Sequence, residues 1–131
     1  MKNIPTILPI YAALMAIMFV VLSIRTIRQR RQLKINLGDA GNKDMQRAMR
    51  VHANFAEYVP LSLLMIYLVE QSGVYAWFVH ALCMGLLVGR VSHAYGVSQQ
   101  RENFAFRVTG MYLTFTVLIA CAAHLLWVAI K

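Results

Sequence analysis

Apolar positions run along the chain in four long blocks, and nearly every charge falls between them. The first block, Pro5 to Ile24, holds no charged residue and at roughly 1.5 Å per helical residue is long enough to cross a hydrocarbon layer of about 30 Å. The pattern predicts a first helix there, a second over about 47–69, a third over about 74–95 and a fourth over about 104–130. Glu70-Gln71-Ser72-Gly73 supplies turn chemistry between the second and third, and Gly96 to Glu102 is a polar connection before the fourth. Such blocks lack the alternation of polar and apolar faces of a small soluble domain, so their expected solvent is lipid. A signal peptide is the competing reading of the first block. Its apolar region would be shorter, would follow most of the basic charge and would end in small residues, whereas this one ends in Ser23-Ile24-Arg25. The predicted fold is an all-α integral membrane protein, a four-transmembrane-helix antiparallel bundle forming one domain over residues 1–131.

Composition strengthens this picture: 60% of the 131 residues are apolar and 14% are charged. The net charge of +8 would raise nucleic-acid binding in a soluble protein, so the positions of the basic residues matter more than their sum. Arg25, Arg28, Arg30, Arg31, Lys34, Lys43, Arg47 and Arg50 lie between the first two blocks, and Arg90, Arg101 and Arg107 surround the third connection. By the positive-inside rule those two basic connections face the cytoplasm, and both termini with the Glu70 to Gly73 turn face outward. A lipid bilayer, then, and not nucleic acid, is the expected partner. Cys83 and Cys121 fall inside apolar blocks, where a thiol packs as a small hydrophobe, and no Cys/His spacing points to a metal.

A charged side chain in the bilayer costs at least about 2.5–3.5 kcal/mol, so each one needs a partner or a task. Arg47, Arg50, Asn54 and Glu57 are spaced 3, 4 and 3 along the second helix, which places them within about 80° of one another. One face of that helix is therefore a polar stripe leading inward from the basic loop. Arg90 and His93 share a face of the third helix at a similar depth, so Glu57 and Arg90 are expected to pair, within the bundle or across a subunit boundary. A structural ion pair fixing helix register is the simpler explanation of those two alone. The wider arginine set, including Arg107 and the end of the first helix, points instead to an anion, best of all one with carboxylates that a guanidinium grips at two points. Anionic headgroups are the expected partners of Arg30, Arg31 and Lys34. His52, His80 and His124 are read as packing or interfacial residues, and Pro60 as a site of helix bending just past Glu57.

The run Arg47-Ala-Met-Arg50-Val-His-Ala-Asn54-Phe-Ala-Glu57-Tyr58-Val-Pro60 resembles the MAPEG superfamily, the membrane-associated proteins of eicosanoid and glutathione metabolism. With four spans and a basic first loop, the resemblance covers essentially the whole chain, on its microsomal glutathione transferase side. It implies a homotrimer with glutathione, as co-substrate, in a cytoplasm-facing cleft between neighbouring subunits. Arg50, Asn54 and Glu57 match positions that hold the glutathione backbone; Arg47 and Tyr58 belong to the same motif, and Arg90 and His93 match helix-three positions near the ligand. Arg107 resembles the arginine that stabilises the glutathione thiolate, and one of Arg28, Arg30 and Arg31 is expected to contribute from the first helix. Val97 stands where several members carry Tyr, and Val108 where the prostaglandin branch carries Ser, so no eicosanoid substrate is assigned.

Three functions are carried forward. The first is a glutathione transferase or peroxidase acting on small lipophilic electrophiles in an inner membrane, with both termini periplasmic. The second is a non-enzymatic relative binding glutathione or anionic lipid. A small four-span multidrug exporter is the third, disfavoured because its carboxylate would sit on the first helix, which has none.

Overall fold

The chain folds into four helices, α1 (Leu8–Leu33), α2 (Lys43–Gln71), α3 (Ala76–Ser98) and α4 (Phe104–Ile130), with no strand among the described residues. The computed structural model describes residues 4–101 and 103–131; Lys2, one of the basic residues, and Glu102, the end of the third connection, lie outside the described residues.

Two helices are longer than hydropathy predicts. α1 continues through the arginines to Leu33 because Arg, Gln and Leu are good helix formers, and Arg30 and Arg31 in its last turn meet the negative end of the helix dipole. Lys34 closes it in the left-handed conformation at φ 55°, its N–H donating to the carbonyls of Arg30 and Arg31. α2 begins at Lys43, a full turn before the predicted start, because the Asn42 side chain accepts from the N–H groups of Asp44 and Met45, each at 3.0 Å. α2 then runs through Pro60 as one helix.

Only α1 and α4 are long and apolar enough to span a membrane on composition alone. α2 and α3, at 29 and 23 residues, have the length but spend part of their surface on polar side chains turned inward: Asn54, Ser62, Arg90 and His93 are all buried. Lipid-facing apolar surface and a polar interior together mark an integral membrane bundle. α2 and α3 form its centre; α1 packs on both, and the backbones of α1 and α4 do not approach each other closely among the described residues. The tightest seam joins α3 to α4. A Cβ on Gly110 would lie 2.6 Å from the Gly89 carbonyl oxygen and 2.7 Å from the His93 nitrogen, and one on Gly96 would lie 2.8 Å from the Arg107 nitrogen. Small residues permit this approach, as is usual where membrane helices pack closely. Cys83 and Cys121 are buried free thiols in the apolar core, beside Leu86 and Val117.

The end opposite the basic loops is tied by side chains. Glu70, at the end of α2, accepts the backbone N–H groups of Thr6 and Ile7 at 2.8 and 2.9 Å through Oε1 and that of Leu8 at 3.0 Å through Oε2. It thereby caps α1, whose own N-cap residue Ile7 has no capping side chain. Tyr11 Oη lies 3.1 Å from His80 Nδ1, and Ser72 Oγ 2.8 Å from His124 Nε2. His52 stacks on Phe19 with centroids 4.9 Å apart and bonds Ser23 Oγ at 3.0 Å, a packing role.

Candidate functional site

At the basic end, α2, α3 and α4 enclose a cleft of about 330 Å³, at the lower end of the ~300–1,000 Å³ usual for small-molecule sites. α2 contributes Lys43, Gln46, Arg47, Arg50 and Asn54; α3 contributes His93 and Val97; α4 contributes Arg107. The α2 residues fall on one face because they follow helical spacing, and the earlier start of the helix adds Lys43 and Gln46 to the stripe. These two escape a reading that starts the helix at Arg47, although Lys43 stands four residues before it and Asn42 is a recognisable cap. α2 and α4 both begin at this end, so the positive ends of two helix dipoles face the same region as the basic side chains.

Arg50 is exposed at the rim. Arg47 is turned toward the end of α3, its Nη1 donating to the Val97 carbonyl at 3.3 Å and Nη2 to that of Gln100 at 3.4 Å. Arg25 reaches the same helix end by donating to Ser98 Oγ. None of the three helix-one candidates lines the cleft within the subunit. Arg30 donates to the Gly38 carbonyl at 2.9 Å and lies 3.5 Å from Met49 Sδ, while Arg28 and Arg31 are exposed outside it.

Arg90 does not reach the cleft surface, being 1% exposed behind Asn54. Its Nη1 donates to Asn54 Oδ1 at 2.7 Å and its Nη2 to Thr114 Oγ1 at 2.6 Å, and its Cζ lies 5.7 Å from the centroid of the Tyr58 ring. Pairing between Glu57 and Arg90 inside the bundle is therefore corrected: Glu57 is exposed, and Arg90 is engaged by other groups. The reason is angular. Asn54 and Tyr58 bracket Arg90, and at about 100° per residue Glu57 is rotated roughly 60° from Asn54 and 100° from Tyr58, onto the outer edge of α2. Tyr58 is half-buried one turn below Asn54 and also lies outside the cleft wall. Thr114 has no signature in the sequence, being one of several hydroxyl residues in an apolar helix.

The sequence matches the MAPEG family over residues 8–127. It is 33% identical over 118 residues to the protein called inner membrane protein YecN of Escherichia coli (strain K12), an alignment covering 90% of this chain and 88% of that protein. Identity and coverage are the same for the protein of that name from Escherichia coli O6:H1. No solved structure matches the chain. The family match includes all of the first three helices and most of the fourth, together with every residue of the cleft wall, and the chain belongs to the MAPEG family.

Proposed function

We propose that the protein binds glutathione in the basic cleft and acts on lipophilic electrophiles at an inner membrane, conjugating them as a transferase or, as a peroxidase, reducing peroxides while glutathione is oxidised to its disulfide. What carries the reading is the cleft itself, which gathers four basic side chains and two amides from two of the helices onto one small surface beside a buried histidine. Glutathione offers two carboxylates for guanidinium groups and one ammonium for a carboxylate, and family membership supports that choice of anion. In this reading Arg50 and Asn54 hold the tripeptide and Arg107 lies beside its sulfur. A thiol of ordinary pKa about 8.5 ionises more readily near a guanidinium, losing its proton to water. The thiolate then attacks an electrophilic carbon: the C–S bond forms, the carbon–halogen bond of an aryl halide breaks, and halide leaves with the electron pair.

Glu57 supports assembly of several copies, a homotrimer in this reading. An exposed carboxylate about 10 Å inward from Arg50 is costly against hydrocarbon and needs a polar partner from outside the subunit, either glutathione held at the boundary or a neighbouring chain. Beside it, Ala12, Ala16 and Ala56 line an apolar groove between α1 and α2 where a neighbouring helix packs closely. An inner membrane is in keeping with the name of the Escherichia coli relatives; in this reading, by the positive-inside rule, the basic loops face the cytoplasm and both termini the periplasm.

Detergent-purified protein should bind glutathione at millimolar concentration or below and conjugate a small aryl halide; absence of binding would remove the reading. Val97, an apolar side chain in the cleft wall, favours a second one, binding without turnover, since it offers the sulfur no hydrogen bond. Saturable binding with neither thiolate absorbance nor product would select that second reading.

A further inference from the structure

Among the described residues Arg90 is the largest fully buried side chain, and every hydrogen-bond partner of its guanidinium is neutral. Besides Asn54 Oδ1 and Thr114 Oγ1, its Nη2 meets the Gly110 carbonyl at 3.3 Å and Met111 Sδ at 3.5 Å, while Nε has no partner among the described residues. Thr114 donates its own proton to the Gly110 carbonyl at 2.8 Å, which leaves a lone pair to receive Arg90. The guanidinium is thus held from α4 while it reaches across to α2. A guanidinium carries donors only, so the Asn54 atom that meets it has to be the amide oxygen. Asn54 lines the cleft and is 9% exposed. With Oδ1 turned inward, Nδ2 is the amide atom left for the cleft, and it makes no bond within the described residues.

We propose that Arg90 is a positioning residue: by holding Asn54 Oδ1 it fixes Nδ2 as a donor in the cleft wall, so that this point accepts a carboxylate or another acceptor of the ligand and rejects a donor. The buried cation stands one amide behind the same point, and a negative ligand group there offsets the cost of a buried charge with no counter-ion among the described residues. The proposal rests on the reading of the cleft as a glutathione site. It also explains why the third-helix arginine is so deeply buried, where a direct ligand contact would leave it at the surface.

The test compares the full-length protein in detergent with Arg90→Met, Asn54→Ala, their double variant and Asn54→Asp, by calorimetric glutathione titration and by the side-chain amide signals of 15N-asparagine-labelled protein. Asn54→Ala identifies the Asn54 signal. Each single loss is expected to weaken glutathione about tenfold, and the double variant to be no weaker than either alone, because Arg90 acts through Asn54. In Arg90→Met the single, narrow Asn54 amide pair should broaden or split. Asn54→Asp keeps the bundle folded through a direct ion pair with Arg90 yet removes the donor, and should bind glutathione no better than Asn54→Ala. Additive losses near a hundredfold in the double variant, an Asn54 signal indifferent to Arg90→Met, or wild-type affinity in Asn54→Asp would each overturn the proposal. A wild-type protein that ignores glutathione while its Asn54 signal still depends on Arg90 would remove the glutathione reading and leave the positioning role standing.

Discussion

The two ends of the bundle use polar residues in opposite ways. At the Glu70 end the groups answer one another: a carboxylate takes three backbone N–H groups, a tyrosine meets a histidine, and a serine meets another histidine. At the basic end side chains from three helices converge on a cavity, and the amide at its base is held by a cation from behind. One end is closed by the protein's own side chains; the other leaves a cleft, which in the reading proposed above takes glutathione. Substitutions at the first should therefore register in stability, and at the second in ligand affinity.

The seam between α3 and α4 serves both ends, so its disruption should have the largest effect. Gly110→Leu drives a side chain into the Gly89 carbonyl and the His93 backbone, with an expected loss of upwards of about 3 kcal/mol. Thermal unfolding in detergent and glutathione titration should both record it, and an unchanged melting curve would show that the helices separate easily. Next comes Arg50→Ala, expected to weaken glutathione by about 10- to 100-fold, the range of a charge-assisted contact, while the melting temperature stays put. Glu70→Ala is the mirror experiment: it should lower stability by about 1–2 kcal/mol, as loss of a helix cap does, and leave glutathione affinity unaltered. Should either substitution move the other observable by as much as its own, the division between the ends would fail. The smallest effect belongs to Lys43→Gln at the rim of the cleft, a two- to threefold loss of affinity that disappears at about 1 M salt, where the screening length falls to ~3 Å.

Much of this was legible before any coordinates, because lipid imposes long apolar blocks and the basic residues mark one end of them. The stripe from Arg47 to Glu57 follows from helical spacing alone; the structure lines one wall of the cleft with Arg47, Arg50 and Asn54 and leaves Glu57 outside it. Helix ends were less legible. Hydropathy reports where lipid stops, whereas α1 continues through Arg25 to Leu33 and α2 begins at the Asn42 cap. Within the bundle Arg90 meets Asn54 and not Glu57, because facing helices offer several acceptors within about a turn of one another. Asn54 and Glu57 lie about one turn apart, and only the rotation of α2 against α3 selects between them. Glu70 as the cap of α1 was invisible for a different reason: its acceptors are matched to main-chain groups more than sixty residues away, which leave no trace in side-chain identity.

That clasp also governs how the protein meets bilayers of unequal thickness. With its first turn tethered to the α2–α3 corner, α1 has no freedom to slip along its axis toward either surface. A thinner or thicker membrane is then expected to be met by tilting the whole helix or by deforming the surrounding lipid, carrying the arginine-rich far end of α1 along with the bundle.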